Sequence, residues 1–304
     1  MKVKMRVPAT TANLGPGFDI FGAALSLYNE FEAEYVPNAN RTKFELKGDG
    51  KKVLPKGDKN LLWKAMSETF KFLKCDKYNL RNLNIAIKTS IPLSGGLGSS
   101  ASAIIGGIAL ANVLCGDKLD KLQIARLGMK IEGHPDNIAP AVYGGLCVCY
   151  KNEEGLSDVM ALPIPKAKVV LCVPSFELRT KRSRQILPKQ IDLQDVVFNA
   201  SRVAMLTAAF CTGNYKLLRI GMQDKLHQPY RGKMIPAMNA VIKSAMDSGA
   251  YGAFLSGSGP SIAAFCGGKD CGKIEKTMIK VWKKESVAVK SYILDFDIKG
   301  VTKI

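Results

Sequence analysis

The stretch that most constrains this chain is residues 91–102, Ile-Pro-Leu-Ser-Gly-Gly-Leu-Gly-Ser-Ser-Ala-Ser. Ahead of it, Leu83, Ile85 and Ile87 alternate with polar or small neighbours, the period of a half-buried strand. Behind it, residues 101–114 are apolar and helix-like. The segment therefore reads as strand, glycine loop, helix. Gly95, Gly96 and Gly98 let the backbone take φ > 0 and approach a ligand closely, while Ser99 and Ser100 can cap the helix or offer hydroxyls to a metal. A helix N-terminus presents unpaired N–H groups and the positive end of its dipole, and both favour a phosphate. Physically this is a nucleotide-phosphate cradle.

Two common phosphate loops can be separated from it. A Walker A loop needs a lysine before its hydroxyl residue, and none is here. Residues 96–101 do match G-x-G-x-x-[GA], but a dinucleotide fold should follow its first helix with a strand ending in an acidic residue about 20 residues on. A turn at residues 115–120 and a second helix-like run over 121–131 stand there instead.

The spacing Pro92-x-x-x-Gly96-Leu97-Gly98-Ser99-Ser100-Ala101 resembles the phosphate loop of the GHMP kinases, which phosphorylate sugars, mevalonates and homoserine. Residues 7–19 (VPATTANLGPGFD) and 132–141 (EGHPDNIAPA) are similar to the homoserine kinase branch, and residues 255–261 (LSGSGPS) match the third family block. The matches run in the family's order over nearly the whole chain.

That resemblance implies an α+β, two-domain GHMP kinase fold. Its N-terminal ATP-binding domain, ribosomal protein S5 domain 2-like, would span residues 1–150, and a C-terminal ferredoxin-like α/β domain residues 151–304. It implies ATP and Mg²⁺ as cofactors and L-homoserine as substrate, phosphorylated on its side-chain hydroxyl in threonine synthesis. Pro92, Leu93, Ser94, Gly95, Gly96, Leu97, Gly98, Ser99, Ser100, Ala101 and Ser102 would form the nucleotide loop, and Glu132 with Ser99 or Ser100 would hold the metal. Magnesium keeps few carboxylates beside nucleotide phosphates, which suits one Glu and one Ser. Substrate contacts fall on Asn13, Asp19, His134, Asp136, Asn137, Thr180, Arg184, Arg231 and Gly257. Asp19 and Asp136 would pair with the ammonium, and Arg184 and Arg231 with the carboxylate, for which arginine has a bidentate geometry that lysine lacks. Asp136 is also the candidate base by analogy with mevalonate-type relatives. An ion-paired carboxylate is a poor base, however, so Asn137 is expected to orient the hydroxyl while the γ-phosphate takes its proton.

Each residue has a plainer reading. Asn13 and Asp19 are common turn formers, Glu132 can be a surface carboxylate, Asp136 a helix cap, and the cations at residues 179–184 a solvated loop. From another class, the formal charge of +18 allows nucleic-acid binding, but no tract of five lysines and no nucleic-acid motif accompanies it. Steering of anionic ATP explains the charge as well. Within the enzyme class the rival is a mevalonate-type kinase, whose substrate lacks the ammonium that Asp19 and Asp136 would meet. No nucleic-acid or membrane partner is expected, and a homodimer is left open. With no apolar run of 18 residues and no h-region behind the basic N-terminus, the chain is expected in the cytoplasm. The eight cysteines, none in a C-x-x-C pair, read as buried free thiols. Strands are expected over residues 2–7, 23–35, 145–150, 168–173, 252–255 and 287–294, and helices over 61–73, 121–131, 192–211, 236–247 and 271–283. Residues 8–19 and 151–157 read as loop and connector, and 38–58 as a hairpin or exposed excursion. Trp63 and Phe72 read as packing residues, and residues 134–137 as the start of a helix with Pro135 in its first turn.

Overall fold

Alternating burial makes the first two strands the spine of the molecule. The computed structural model describes residues 1–37, 42–78 and 80–304. Strands β1 (Lys2–Ala12) and β2 (Phe21–Tyr35) run antiparallel from Lys2↔Glu34 to Ala12↔Gly22. The strand expected to stop at Val7 continues to Ala12, because the register shifts between Pro8 and Ala9 and such a bulge accommodates a residue with no N–H to give the ladder. β3 (Lys43–Gly48) pairs in parallel with β4 (Leu83–Thr89), so this part of residues 38–58 is an edge strand and not a hairpin; residues 38–41 lie outside the described set. Helix α1 (Leu61–Phe72) begins where Asn60 Oδ1 accepts the Leu62 N–H, as its N-cap position suggests.

Helix α2 (Ser99–Leu114) is apolar all round and is buried between the sheet, α1 and α3 (Lys121–Glu132), whose start is a capping box of Asp120 and Gln123. The short α4 (Ile138–Tyr143) leads into β5 (Leu146–Lys151) and β6 (Ser157–Leu162), an antiparallel hairpin whose turn is the expected connector. β5 also pairs with the start of β2, and the C-terminal β11 (Thr302–Lys303) returns to β1. The first sheet therefore has the order β11-β1-β2-β4-β3 with β5 and β6 attached, and the boundary expected at residue 150 falls inside the β5–β6 hairpin.

The second sheet is built from β7 (Lys168–Pro174), β8 (Gly252–Leu255), β9 (Ile262–Cys266) and β10 (Val289–Leu294). Between β7 and β8 lie α5 (Thr180–Gln185), α6 (Leu193–Thr212), α7 (Leu218–Gly221), α8 (Gln228–Arg231) and α9 (Met238–Asp247), and α10 (Cys271–Lys284) joins β9 to β10. Its all-antiparallel order, β10-β7-β9-β8, is that of a split β-α-β ferredoxin-like unit, as expected. A shared apolar cluster including Leu14, Phe21, Leu97, Leu171, Phe254 and Phe265 joins the two sheets, so loops from both converge on one cleft.

The readings of the cysteines and of Phe72 are corrected. Cys266 and Cys271 are joined as a disulfide, and Cys211 is exposed, so these are not buried free thiols. Phe72 is 59% exposed and packs little, although Trp63 does pack against the core. No helix among the described residues is long and apolar enough to cross a membrane.

Candidate active site

The glycine loop closes onto the N-terminus of α2 as its sequence requires. Gly98, in left-handed conformation at φ 64°, is the N-cap and gives no side-chain cap, so the serines stand inside the first turn and do not cap it. The leading N–H groups of α2 are thereby left for an anion. A Cβ on Gly98 would overlap Thr10 Oγ1, and one on Gly96 would overlap the Ser256 carbonyl. The second contact exists because the β8–β9 turn lies over the loop: Ser256 Oγ donates to the Gly96 carbonyl at 2.7 Å, and the Gly257 N–H donates to the Ala12 carbonyl at 3.1 Å.

Here a cavity of about 170 Å³ opens, lined by Pro92, Ser94 to Ser100, Glu132, His134, Asp136, Asn137, Asn13, Asp19, Thr180, Arg184, Arg231 and Gly257, together with Phe18 and Ser258. Nearly every residue singled out in the sequence thus meets in one place. Leu93, Ala101 and Ser102 do not face it, and the last two are buried in the packing of α2. Of the two candidate metal-binding serines, Ser100 donates its Oγ–H to Glu132 Oε2 at 2.7 Å. A carboxylate and a hydroxyl brought together beside a phosphate-binding helix start form a donor set that fits Mg²⁺.

Asp136 is 2% exposed and belongs to a network, not to a helix cap, for α4 starts at Ile138 without a side-chain cap. Its Oδ1 accepts from Asn137 Nδ2 at 3.2 Å and lies 3.0 Å from His134 Nδ1, while Asn137 Oδ1 accepts from Thr10 Oγ1 at 2.7 Å. Oδ2 of Asp136 has no protein partner among the described residues. Burial is the largest influence on His134 and pulls its pKa down, but the hydrogen bond and charge of Asp136 and the charge of Glu132 outweigh it and leave the pKa raised.

On the opposite wall sits Arg231, 1% exposed and without a salt bridge to any described carboxylate. Nε donates to the Ser183 carbonyl at 3.3 Å, and Nη1 faces the Gly257 carbonyl at 3.0 Å and His227 Nδ1 at 3.2 Å. The two N–H groups of Nη2 remain for a ligand. Burial, and after it the like charge of Arg184, bring its pKa down from 12.5 to about 10. Arg184, on α5, is engaged: Nη1 and Nη2 donate to Asp19 Oδ2 and Oδ1 at 2.9 and 2.6 Å. The carboxylate expected to meet an ammonium and the guanidinium expected to meet a carboxylate therefore hold each other. Asn13 is spent on scaffolding, accepting the Asp19 N–H at 3.1 Å and donating to the Gly257 carbonyl at 2.9 Å. Thr180 Oγ1 lies 3.3 Å from Ser258 Oγ.

Sequence reasoning missed Phe18, Thr10, Ser258 and His227. Phe18 neighbours Asp19 in the same motif, yet only the fold places its ring 5.2 and 5.1 Å from the guanidinium carbons of Arg184 and Arg231. Thr10, inside the first motif, looked like one more turn former.

The chain is similar to known proteins along most of its length. The GHMP kinases N terminal domain model matches residues 60–145, and the GHMP kinases C terminal model matches residues 206–284. A homoserine kinase of Carboxydothermus hydrogenoformans is 44% identical over 90% of this chain and 88% of its own length. A homoserine kinase of Desulfitobacterium hafniense is 38% identical over 99% of this chain and 100% of its own length. The crystal structure of homoserine kinase from Cytophaga hutchinsonii superposes with a TM-score of 0.90 at 30% identity, covering 100% of this chain and 97% of that one.

Proposed function

Since the chain belongs to the GHMP kinase family, whose members use ATP as phosphate donor, we propose that it is a homoserine kinase, transferring the γ-phosphoryl of ATP to the side-chain hydroxyl of L-homoserine in threonine synthesis. The observation that carries this reading is a pair of opposite buried charges facing one small cavity. Arg231 offers two N–H groups with no protein anion against it, and Asp136 offers a free carboxylate oxygen. Burying either ion costs several kcal/mol unless something compensates it. A zwitterion compensates both at once, and an amino acid is the simplest one.

The same cavity is lined by the glycine loop at the start of α2, which would hold the triphosphate through backbone N–H groups. Glu132 and Ser100 would hold Mg²⁺, which supplies charge neutralisation on the phosphates when bound. Asp136 and Asp19 take the ammonium, and Arg231 and Arg184 the carboxylate. Asn137, its amide oriented by Thr10, aligns the hydroxyl. The hydroxyl oxygen bonds to the γ-phosphorus, the bond from that phosphorus to the β,γ-bridging oxygen breaks, ADP leaves, and the hydroxyl proton passes to the transferred phosphoryl group. Because such transfer depends on positioning and charge, no strong base is required. Asp136, already bonded to His134 and Asn137, is assigned to binding.

The test is ADP release over homoserine, mevalonate, galactose and threonine with Mg-ATP. Homoserine should be the strongly preferred acceptor, its phosphorylation confirmed by mass spectrometry of the product. Preference for mevalonate or galactose, or no acceptor-dependent release, would overturn the reading.

A further inference from the structure

One buried group at the edge of the cleft has no part in the scheme above. His227 is 0% exposed, ends the loop before α8, and has bonding partners at both ring nitrogens. Nε2 lies 2.7 Å from the Gly15 carbonyl, which only accepts, so Nε2 carries the proton. Nδ1 lies 3.2 Å from Arg231 Nη1, and a guanidinium only donates, so Nδ1 offers its lone pair. Only the neutral Nε2–H tautomer satisfies both contacts. Protonation would set N–H against N–H beside a buried cation. In agreement, burial first, and the charge of Arg231 as well, hold the imidazole's pKa below its ordinary value.

We propose that His227 is a positioning residue for the substrate-carboxylate site: its neutral ring fixes the Arg231 guanidinium and ties it to the loop that carries Asp19. The geometry explains why a histidine stands there. Arg231 Nε is held by the Ser183 carbonyl, and Nη1 by the Gly257 carbonyl and His227, so rotation of the guanidinium is blocked and Nη2 is aimed at the cavity. Gly15 belongs to the β1–β2 turn, and Arg231 to α8 of the second half of the chain. The imidazole thus spans the two walls of the cleft and sets the distance between Arg231 and the Asp19 turn. Its face also packs on Phe18, ring centroids 5.4 Å apart, the same ring over which both guanidinium groups lie. Asp224 is 3.5 Å from Nε2 and its charge favours a protonated ring, but burial outweighs it and leaves the pKa lowered. Its carboxylate already accepts the Leu226, His227 and Gln228 N–H groups and Asn199 Nδ2.

This inference rests on the amino-acid-kinase reading, and the experiment separates the two. Full-length wild type, His227→Phe and His227→Gln are compared in the homoserine-dependent assay, with thermal unfolding of each as a check of folding. Phenylalanine keeps the volume and the contact with Phe18 but loses both hydrogen bonds, whereas glutamine can still accept from Arg231 and donate to Gly15. His227→Phe should raise the KM for homoserine at least about tenfold, the effect of losing one hydrogen bond to a charged group, with the KM for ATP within about twofold of wild type. His227→Gln should recover most of that loss. Equal rises in both KM values, or no rescue by glutamine in a folded protein, would make His227 a packing residue and overturn the inference. Wild type inactive on homoserine would instead overturn the function itself. If His227→Phe fails to fold, His227→Gln against wild type decides: a KM for homoserine more than tenfold raised refutes the positioning role.

Discussion

Replacing Asp19 by asparagine should move two ligands of this site in opposite directions. In the free protein Asp19 and Arg184 form a bidentate pair at 2.6 and 2.9 Å, whereas the proposed substrate needs Asp19 for its ammonium and Arg184 for its carboxylate. At an effective dielectric constant of about 20, unit charges about 4 Å apart attract by about 4 kcal/mol. The two side chains keep 31% and 35% of their surface in solvent, so screening and side-chain entropy leave about 1 kcal/mol net. Homoserine replaces that pair with two new ones. Its des-amino analogue, 4-hydroxybutyrate, has to draw Arg184 away from Asp19 and gives Asp19 nothing in return. Asp19→Asn should therefore raise the KM for homoserine about fivefold or more, because removing one partner of a charge pair costs about 2 kcal/mol or more and the roughly 1 kcal/mol no longer needed to separate Arg184 from Asp19 offsets part of it. The same substitution frees Arg184 and should tighten 4-hydroxybutyrate about fivefold, matching the 1 kcal/mol no longer lost. ADP release at saturating ATP measures the first, and titration calorimetry measures the second even if the analogue turns over slowly. A rise for both ligands would identify the Asp19–Arg184 pair as a structural clasp that holds the site in shape. No change for either would remove Asp19 from the substrate.

Two further outcomes follow from the same geometry. Glu132→Gln keeps the hydrogen bond from Ser100 but lowers the charge available to a divalent cation, so the Mg²⁺ concentration for half-maximal rate should rise several-fold while thermal stability is retained; an unchanged magnesium titration excludes Glu132 from the metal. Because the His227 pKa is depressed, the unfolded chain binds more protons than the folded one as pH falls below the ordinary histidine value of about 6.5. The contribution of His227 to stability is thus complete above that pH and is lost on acidification toward the folded pKa. The groups facing the ring are Asp224, Arg231 and, more distantly, Asp19. Urea unfolding between pH 7.5 and 5.5 should show a steeper loss for wild type than for His227→Gln, by up to about 1.4 kcal/mol per pH unit; parallel slopes would mean that the ring is not held neutral.

Much of this molecule was decided by local sequence. Alternation marked strands such as β4, Asn60 and Asp120 set helix starts, and Gly96 and Gly98 of the 91–102 loop supplied the left-handed backbone that closes it on α2, because each of these effects acts within a few residues. The motifs also named most of the cavity, since a phosphate or an amino acid needs particular functional groups wherever the chain supplies them. Pairings across long separations were beyond reach. That Asp19 meets Arg184, that Ser100 bonds Glu132, that Arg231 pairs with no carboxylate among the described residues, and that Cys266 joins Cys271 depend on how the two sheets pack and which rotamers remain. His227 shows the difference most plainly. In sequence it is one polar residue between Leu226 and Gln228, and only burial between Gly15 and Arg231 settles its tautomer, its charge and therefore its part in the site.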